Sequence, residues 1–233
     1  MQSFNFAGKN SLADFGVYMA KTPSIPSPHR KVTYTPIPGR SGSLVYDEHA
    51  YEDITLAAEC GIAGNVFYRL DEIKAWLFES GESSLVFSFA GDKKYIAQVV
   101  NRIDFEIALR KIGKFVVIFN CHPFRYAVNE PKITVTAQNT ALINNGTLAC
   151  EPLVEVYGSG NITLKIGEQE MVLSGISGKI ILNSALQDAY DDALNNLNGK
   201  VSGEYFKLPV GSNAVSWSGS VSRVEVTQNR RWL

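Results

Sequence analysis

The chain has 233 residues, 45% hydrophobic and 19% charged, with 22 Lys and Arg against 23 Asp and Glu. That balance excludes a disordered chain and supplies a core for one large β domain or two of ordinary size. Residues 1–127 carry 14 basic and 13 acidic side chains and residues 128–233 carry 8 and 10, so no basic block exists to neutralise a run of phosphates, and sequence recognition of nucleic acid is excluded.

In chain order, Phe4 and Phe6 alternate with polar neighbours and predict a strand over residues 3–7. After a turn at Gly8 to Ser11, residues 14–19 read as a second strand. Pro23, Pro26 and Pro28 impose an extended connection. Residues 30–37 alternate as a further strand. The stretch from Gly39 to Leu56 reads as a β-hairpin turning at Asp47-Glu48-His49, with Leu44 and Tyr46 on one arm and Tyr51 and Ile54 on the other. A helix follows, with Asn65 as N-cap, Phe67, Leu70, Ile73, Trp76 and Leu77 as its apolar stripe, and Gly81 at its end. Such a stripe at helical spacing is core packing against a sheet rather than a cofactor box.

Strands resume at 84–89 and 94–101, joined at Gly91-Asp92, then at 103–109, where Ile103, Phe105, Ile107 and Leu109 alternate with polar residues. A turn over 110–114 leads to the apolar strand Phe115-Val116-Val117-Ile118-Phe119. Pro123 lacks an amide hydrogen and is expected to end the pairing there. Beyond it, short strands between 133 and 227 alternate with glycine-rich separators at 158–160, 175–178 and 219. That spacing predicts a β-sandwich or jelly roll, with 184–197 as one helical turn or a hairpin loop. The fold expected is mainly β: an α+β domain with one helix over 1–127, then a sandwich over 128–233.

No catalytic, metal or cofactor site emerges from the pattern. His29, His49 and His122 are the only histidines, and none is spaced with cysteines as a zinc site requires. Gly158-Ser159-Gly160 lies between strands, without the helix that makes a phosphate loop. Asp188, Asp191 and Asp192 lack the alternating spacing of a calcium loop and read as a solvated face. Cys60, Cys121 and Cys150 read as buried free thiols of a reducing compartment. No stretch approaches the ~18 apolar residues of a membrane span, and the N-terminus has no secretory pattern, so synthesis in a cytoplasm is expected. Trp217, Tyr157 and Tyr205 could stack a sugar. That half has no histidine to help hold one, however, and Trp217, alternating with Val215, fits the core better.

Five stretches in order, FNFAGKNSLADFGV, IPGRSGSLVYDEHAYED, HPFRY, NNGTLACEPLVEVYGSGNITL and NRRWL, together resemble the distal tail protein of long-tailed bacteriophages (siphoviruses). The resemblance implies a non-enzymatic virion component made in the bacterial host. It implies an N-terminal belt domain forming a homohexameric ring and a galectin-like C-terminal sandwich outside it. The partners implied are the major tail tube protein on one side and the tail-tip hub or tail-associated lysin on the other. Arg40, Leu44, Tyr46, Tyr51 and Ile54 are the expected intersubunit contacts. Residues 128–233 are too few and too evenly stranded for the arm-like insertion that holds receptor-binding proteins in some members. The competing expectation is a carbohydrate-binding module working through the sandwich. Limited proteolysis is expected to cut near residues 126–132 and release a stable C-terminal fragment; cuts scattered evenly through both halves would contradict two domains.

Overall fold

The computed structural model describes residues 1–63, 69–104, 106–108 and 112–233. It is mainly β and divides into two compact units, Met1–Val128 with Leu233, and Asn129–Trp232.

The first unit is an antiparallel sheet in the order Lys9–Asn10, Phe4–Phe6, Ser83–Phe87, Lys93–Val99, Ile112–Cys121, Ile54–Ala63, Val17–Met19. Its spine is the ladder between Ile112–Cys121 and Ile54–Ala63, in register from Ile112 opposite Ala63 to Cys121 opposite Ile54. Strict alternation on both strands sends Leu56, Ala58, Cys60, Phe115, Val117 and Phe119 inward, as a period of two requires. Met19 N–H donates to Gln2 O at 2.9 Å, which brings the last strand back to the residues just ahead of Phe4–Phe6. The ends of the sheet therefore meet. Where the main chain leaves the Lys93–Val99 strand, the Asn101 amide extends the ladder, accepting from Ile118 N–H at 2.7 Å and donating to Val116 O at 2.9 Å.

The helix Leu70–Glu79 packs Ile73, Trp76 and Leu77 into this core. The Trp76 ring lies near-parallel to Phe4 at 5.6 Å and to Phe15 at 4.3 Å, and its indole N–H donates to Phe6 O at 2.9 Å. The large aromatic area is buried and its one polar atom is satisfied. The expected cap Asn65 and the stripe residue Phe67 lie outside the described residues, as do Phe105, Leu109, Arg110 and Lys111.

Several expectations are corrected. Asp14 and Phe15 belong to a short helix, Ser11–Phe15, and only Val17–Met19 is strand. Asn10 Oδ1 accepts from Leu12 and Ala13 N–H, Asp14 accepts from Asn10 N–H, and Gly16 at φ 70° ends the turn. This capping chemistry overrides an ambiguous five-residue pattern. Of the strand expected over 103–109, the structure assigns Glu106–Ala108. Pro123 does not end the sheet, because Arg125–Ala127 resumes pairing with Lys93 and Lys94.

The second unit is not a set of many short strands. Three long ones, Leu153–Ile166, Gln169–Asn183 and Gly211–Thr227, each bend in mid-course. At one end they pair with Lys132–Val135 and Asp188–Tyr190, at the other with Thr140–Asn144 and Val201–Gly203. Val154, Val156, Ile180 and Val224 from one end share a buried cluster with Leu164, Ile166, Leu173 and Val215 from the other. The sheet curls over a single core, as when strands switch layers through bends. The glycines expected as separators sit inside the strands, at register shifts around 157–163. A Cβ at Gly158 would lie 2.3 Å from Ser220 O, and one at Gly219 (φ +93°) 2.3 Å from Asn161 O. Here glycine allows two backbones to touch. Of the two alternatives for 184–197, the loop is found, around the strand Asp188–Tyr190.

Gly219→Ala should therefore lower the stability of this unit by roughly 1–3 kcal/mol, read as a fall in thermal midpoint. Gly175→Ala, at φ +61° but with nothing within 4 Å, should cost less. Equal losses would contradict the close-approach account.

Candidate functional site

Among the described residues, the strands Arg30–Pro36 and Ser43–Tyr51 pair only with each other, as a separate two-stranded sheet. Pro36 lies opposite Ser43, so the turn spans Ile37 to Gly42, not Asp47 to His49 as the sequence predicts. Gly39 and Gly42 take φ +79° and +84°, and Arg40 N–H donates to Ile37 O at 3.1 Å. The Asp47–His49 segment is instead an irregularity within the second strand. His49 sits at φ 54°, and its N–H donates to Asp47 Oδ1 at 2.8 Å. Arg30 Nη2 meets Asp47 Oδ2 at 2.6 Å and approaches His49 Nδ1 at 3.2 Å. The His49 N–H, then Arg30, hold the Asp47 carboxyl below its ordinary range.

Of the expected contact residues, the hairpin brings together Arg40 at its tip and Leu44 and Tyr46 on one face, all exposed. Tyr51 is half-buried at the base, edge-on to Phe124 at 5.7 Å. Ile54 is corrected: it is 5% exposed, lies on the spine strand opposite Cys121 and belongs to the core. Tyr34 and Val45, 65% and 55% exposed, were missed. The alternation of 30–37 was visible, but assigning the turn to Asp47–His49 left that strand without its partner.

The three aromatics of the sugar reading are engaged. Trp217 packs against the second core, and Gln138 bonds both its backbone N–H and its carbonyl. Tyr205 also packs there and donates to Asn198 Oδ1 at 3.1 Å. Tyr157 is flanked from the neighbouring strands by the Arg223 guanidinium, 3.5 Å from its ring, and by Lys179 Nζ at 5.1 Å.

Beside Tyr157 lies an ion network. Glu155 and Glu225 are directly opposite on adjacent strands, an arrangement that repels unless cations intervene. Lys132 bonds Glu155 and reaches Glu225 at 3.4 Å, Lys179 meets Glu155 at 2.7 Å and Asp192 at 2.6 Å, and Arg223 meets Glu225 at 2.7 Å. Burial works against the Glu155 charge, but Lys132 and Lys179 hold its carboxyl below the ordinary range. Every charge here has a partner, so the face is a structural brace rather than an open site.

A groove of about 420 Å³ lies beside Tyr18, Glu59, Asn101, Arg102 and Lys114. Its Cys60 thiol is pushed up to about 12 by burial and is no nucleophile at neutral pH. Among the described residues no three His, Cys, Asp or Glu side chains group as metal ligands. No helix among them is long and apolar enough to cross a membrane.

No protein-family model matches the chain, and no curated protein matches it in sequence. Its fold is similar to that of a solved structure, SPP1 Dit, described as a paradigm of the hub adsorption apparatus in phages infecting Gram-positive bacteria. The TM-score is 0.75 at 13% identity, over 100% of both chains. At that identity the likeness establishes the fold, across both units.

Glu155→Gln should destabilise the second unit by about 1–3 kcal/mol, the cost of losing the charged acceptor that Lys132 and Lys179 share. A carboxyl whose folded pKa is lowered stabilises above its ordinary value of ~4.3 and loses that contribution as pH falls through the folded value. Urea titrations should find the largest wild-type advantage above about pH 5 and a shrinking one below pH 4. An advantage independent of pH would contradict the charge assignment.

Proposed function

We propose that this protein is a structural component of a phage tail tip: a homohexameric ring at the distal end that joins the tail tube to the adsorption apparatus. The observation that carries this reading is the full-length likeness in fold to SPP1 Dit, through both units. The first unit, residues 1–127 in the sequence division, is the ring-forming belt; the second, 128–233, is the galectin-like sandwich outside it. The major tail tube protein meets one side of the ring, and the tail-tip hub or tail-associated lysin meets the other. The protein is made in the host cytoplasm, resides in the virion and catalyses no reaction.

The hairpin supports self-association. An isolated two-stranded ribbon is marginal in water, yet this one holds Leu44, Val45 and Tyr46 more than half exposed. Such side chains are what a partner covers. Near-zero net charge without a basic stripe suits a ring through which DNA passes without sticking.

Light scattering over a concentration series should give a mass near six times the 25.6 kDa chain. A mass of one chain at every concentration, with saturable glycan binding, would favour the carbohydrate-binding module instead.

A further inference from the structure

Two asparagines of the second unit stand directly before a glycine, Asn145 before Gly146 and Asn198 before Gly199. In an open chain such a pair is chemically labile. The glycine carries no side chain to hinder its backbone nitrogen, which can attack the preceding carboxamide carbon and displace the amide nitrogen. In the folded unit both pairs are restrained. Gly146 N–H is buried and donates to Asn144 Oδ1 at 2.9 Å. Asn144 is 1% exposed, and its Nδ2 donates to Leu148 O at 3.0 Å and to Leu208 O at 2.9 Å. All three partners are backbone groups, so a single orientation of this amide serves one donor and two acceptors. Asn145 is exposed, and its Oδ1 accepts from Arg230 Nη1 at 2.6 Å. At the other pair, Asn198 Oδ1 accepts from Ala189 N–H at 2.6 Å and from the Tyr205 hydroxyl at 3.1 Å, while Nδ2 donates to Asp188 Oδ1 at 2.8 Å.

We propose that Asn145 is a latent deamidation site that the fold keeps closed, with Asn144 as its guard. In the reaction Gly146 N bonds to Asn145 Cγ, the Cγ–Nδ2 bond breaks, and Nδ2 leaves as ammonia with the Gly146 amide proton. Water then opens the five-membered imide at one carbonyl or the other and gives aspartate or isoaspartate. The new N–Cγ bond lies in the peptide plane where the N–H was, and Asn144 Oδ1 stands on that line. Ring closure therefore requires Asn144 to move, which takes a buried carboxamide off three hydrogen bonds. The charged donor Arg230 adds a second restraint by holding the Asn145 carboxamide oxygen. Packing explains why the labile pair is kept. A Cβ on Gly146 would lie 2.5 Å from Arg231 O, so glycine is the residue that fits beside that backbone. Isoaspartate adds a methylene to the main chain at the same contact, and a chain modified while open does not rebuild the turn.

Peptide mapping by mass spectrometry tests this on the full chain, incubated at mildly alkaline pH with and without denaturing urea. In urea both Asn145 and Asn198 should deamidate. In the folded chain Asn145 should react at least roughly tenfold more slowly, because reaction waits on local opening. Asn144→Ala should return Asn145 toward its rate in urea, while Asn198, held by its own partners, stays slow. Folded wild type reacting at Asn145 as fast as in urea would overturn the proposal, and so would an Asn144→Ala chain in which both sites stay slow. If the substitution unfolds the unit, both sites react and the wild type decides. Hydrogen exchange at Gly146 N–H needs the same bond to Asn144 to break, so deamidation should be slowed by at least the factor that slows exchange. Deamidation slowed less than exchange, or a Gly146 amide without protection, would remove Asn144 as the guard.

Discussion

A two-stranded ribbon has no interior. Whatever it buries must come from outside, and among the described residues of the first unit no other strand pairs with it. Its main sheet spends its own edges on closure, with the Gln2–Met19 bridge joining the ends. Its helix fills the core with Trp76 rather than lying over the hairpin. The hairpin is left as a separate sheet of exposed tyrosine, leucine and valine, braced at its base by Arg30, Asp47 and His49. The core and the exposed apolar side chains thus lie in different parts of the same unit.

The second unit solves a different problem. Three strands supply both ends of a curled sheet, which requires each to bend where another backbone passes, and Gly158 and Gly219 sit at those close approaches. The outer surface of one end is neutralised internally by Lys132, Lys179 and Arg223 around Glu155 and Glu225. With Tyr157 flanked by cations and Trp217 and Tyr205 packed on the core, the aromatics that suggest a lectin serve the fold. The polar and aromatic groups of this unit are used in building its fold.

Much of the fold was legible. The apolar run Phe115–Phe119 and the Ile73-Trp76-Leu77 stripe are strong signals that tertiary packing reinforces. The failures share a cause: turn-forming residues mark any departure from regular extended backbone, not turns alone. Asp47-Glu48-His49 has turn composition but makes a bulge-like irregularity, and Gly158, Gly175 and Gly219 are bends within continuous strands. Ile54 was grouped with the hairpin because local sequence does not show where one strand's pairing ends and the next begins. Tyr34 and Val45 were missed through the same register error. The Glu155 network was invisible, because its partners come from strands distant in sequence and only pairing sets them side by side.

The most direct test of the central claim is the solvent reactivity of Tyr34 and Tyr46 in the assembled protein, read by hydroxyl-radical footprinting against the dissociated chain. At least one of the two tyrosines should be protected on assembly, while exposed Leu186 in the second unit stays reactive as an internal reference. Protection of neither would contradict a hairpin that a partner covers.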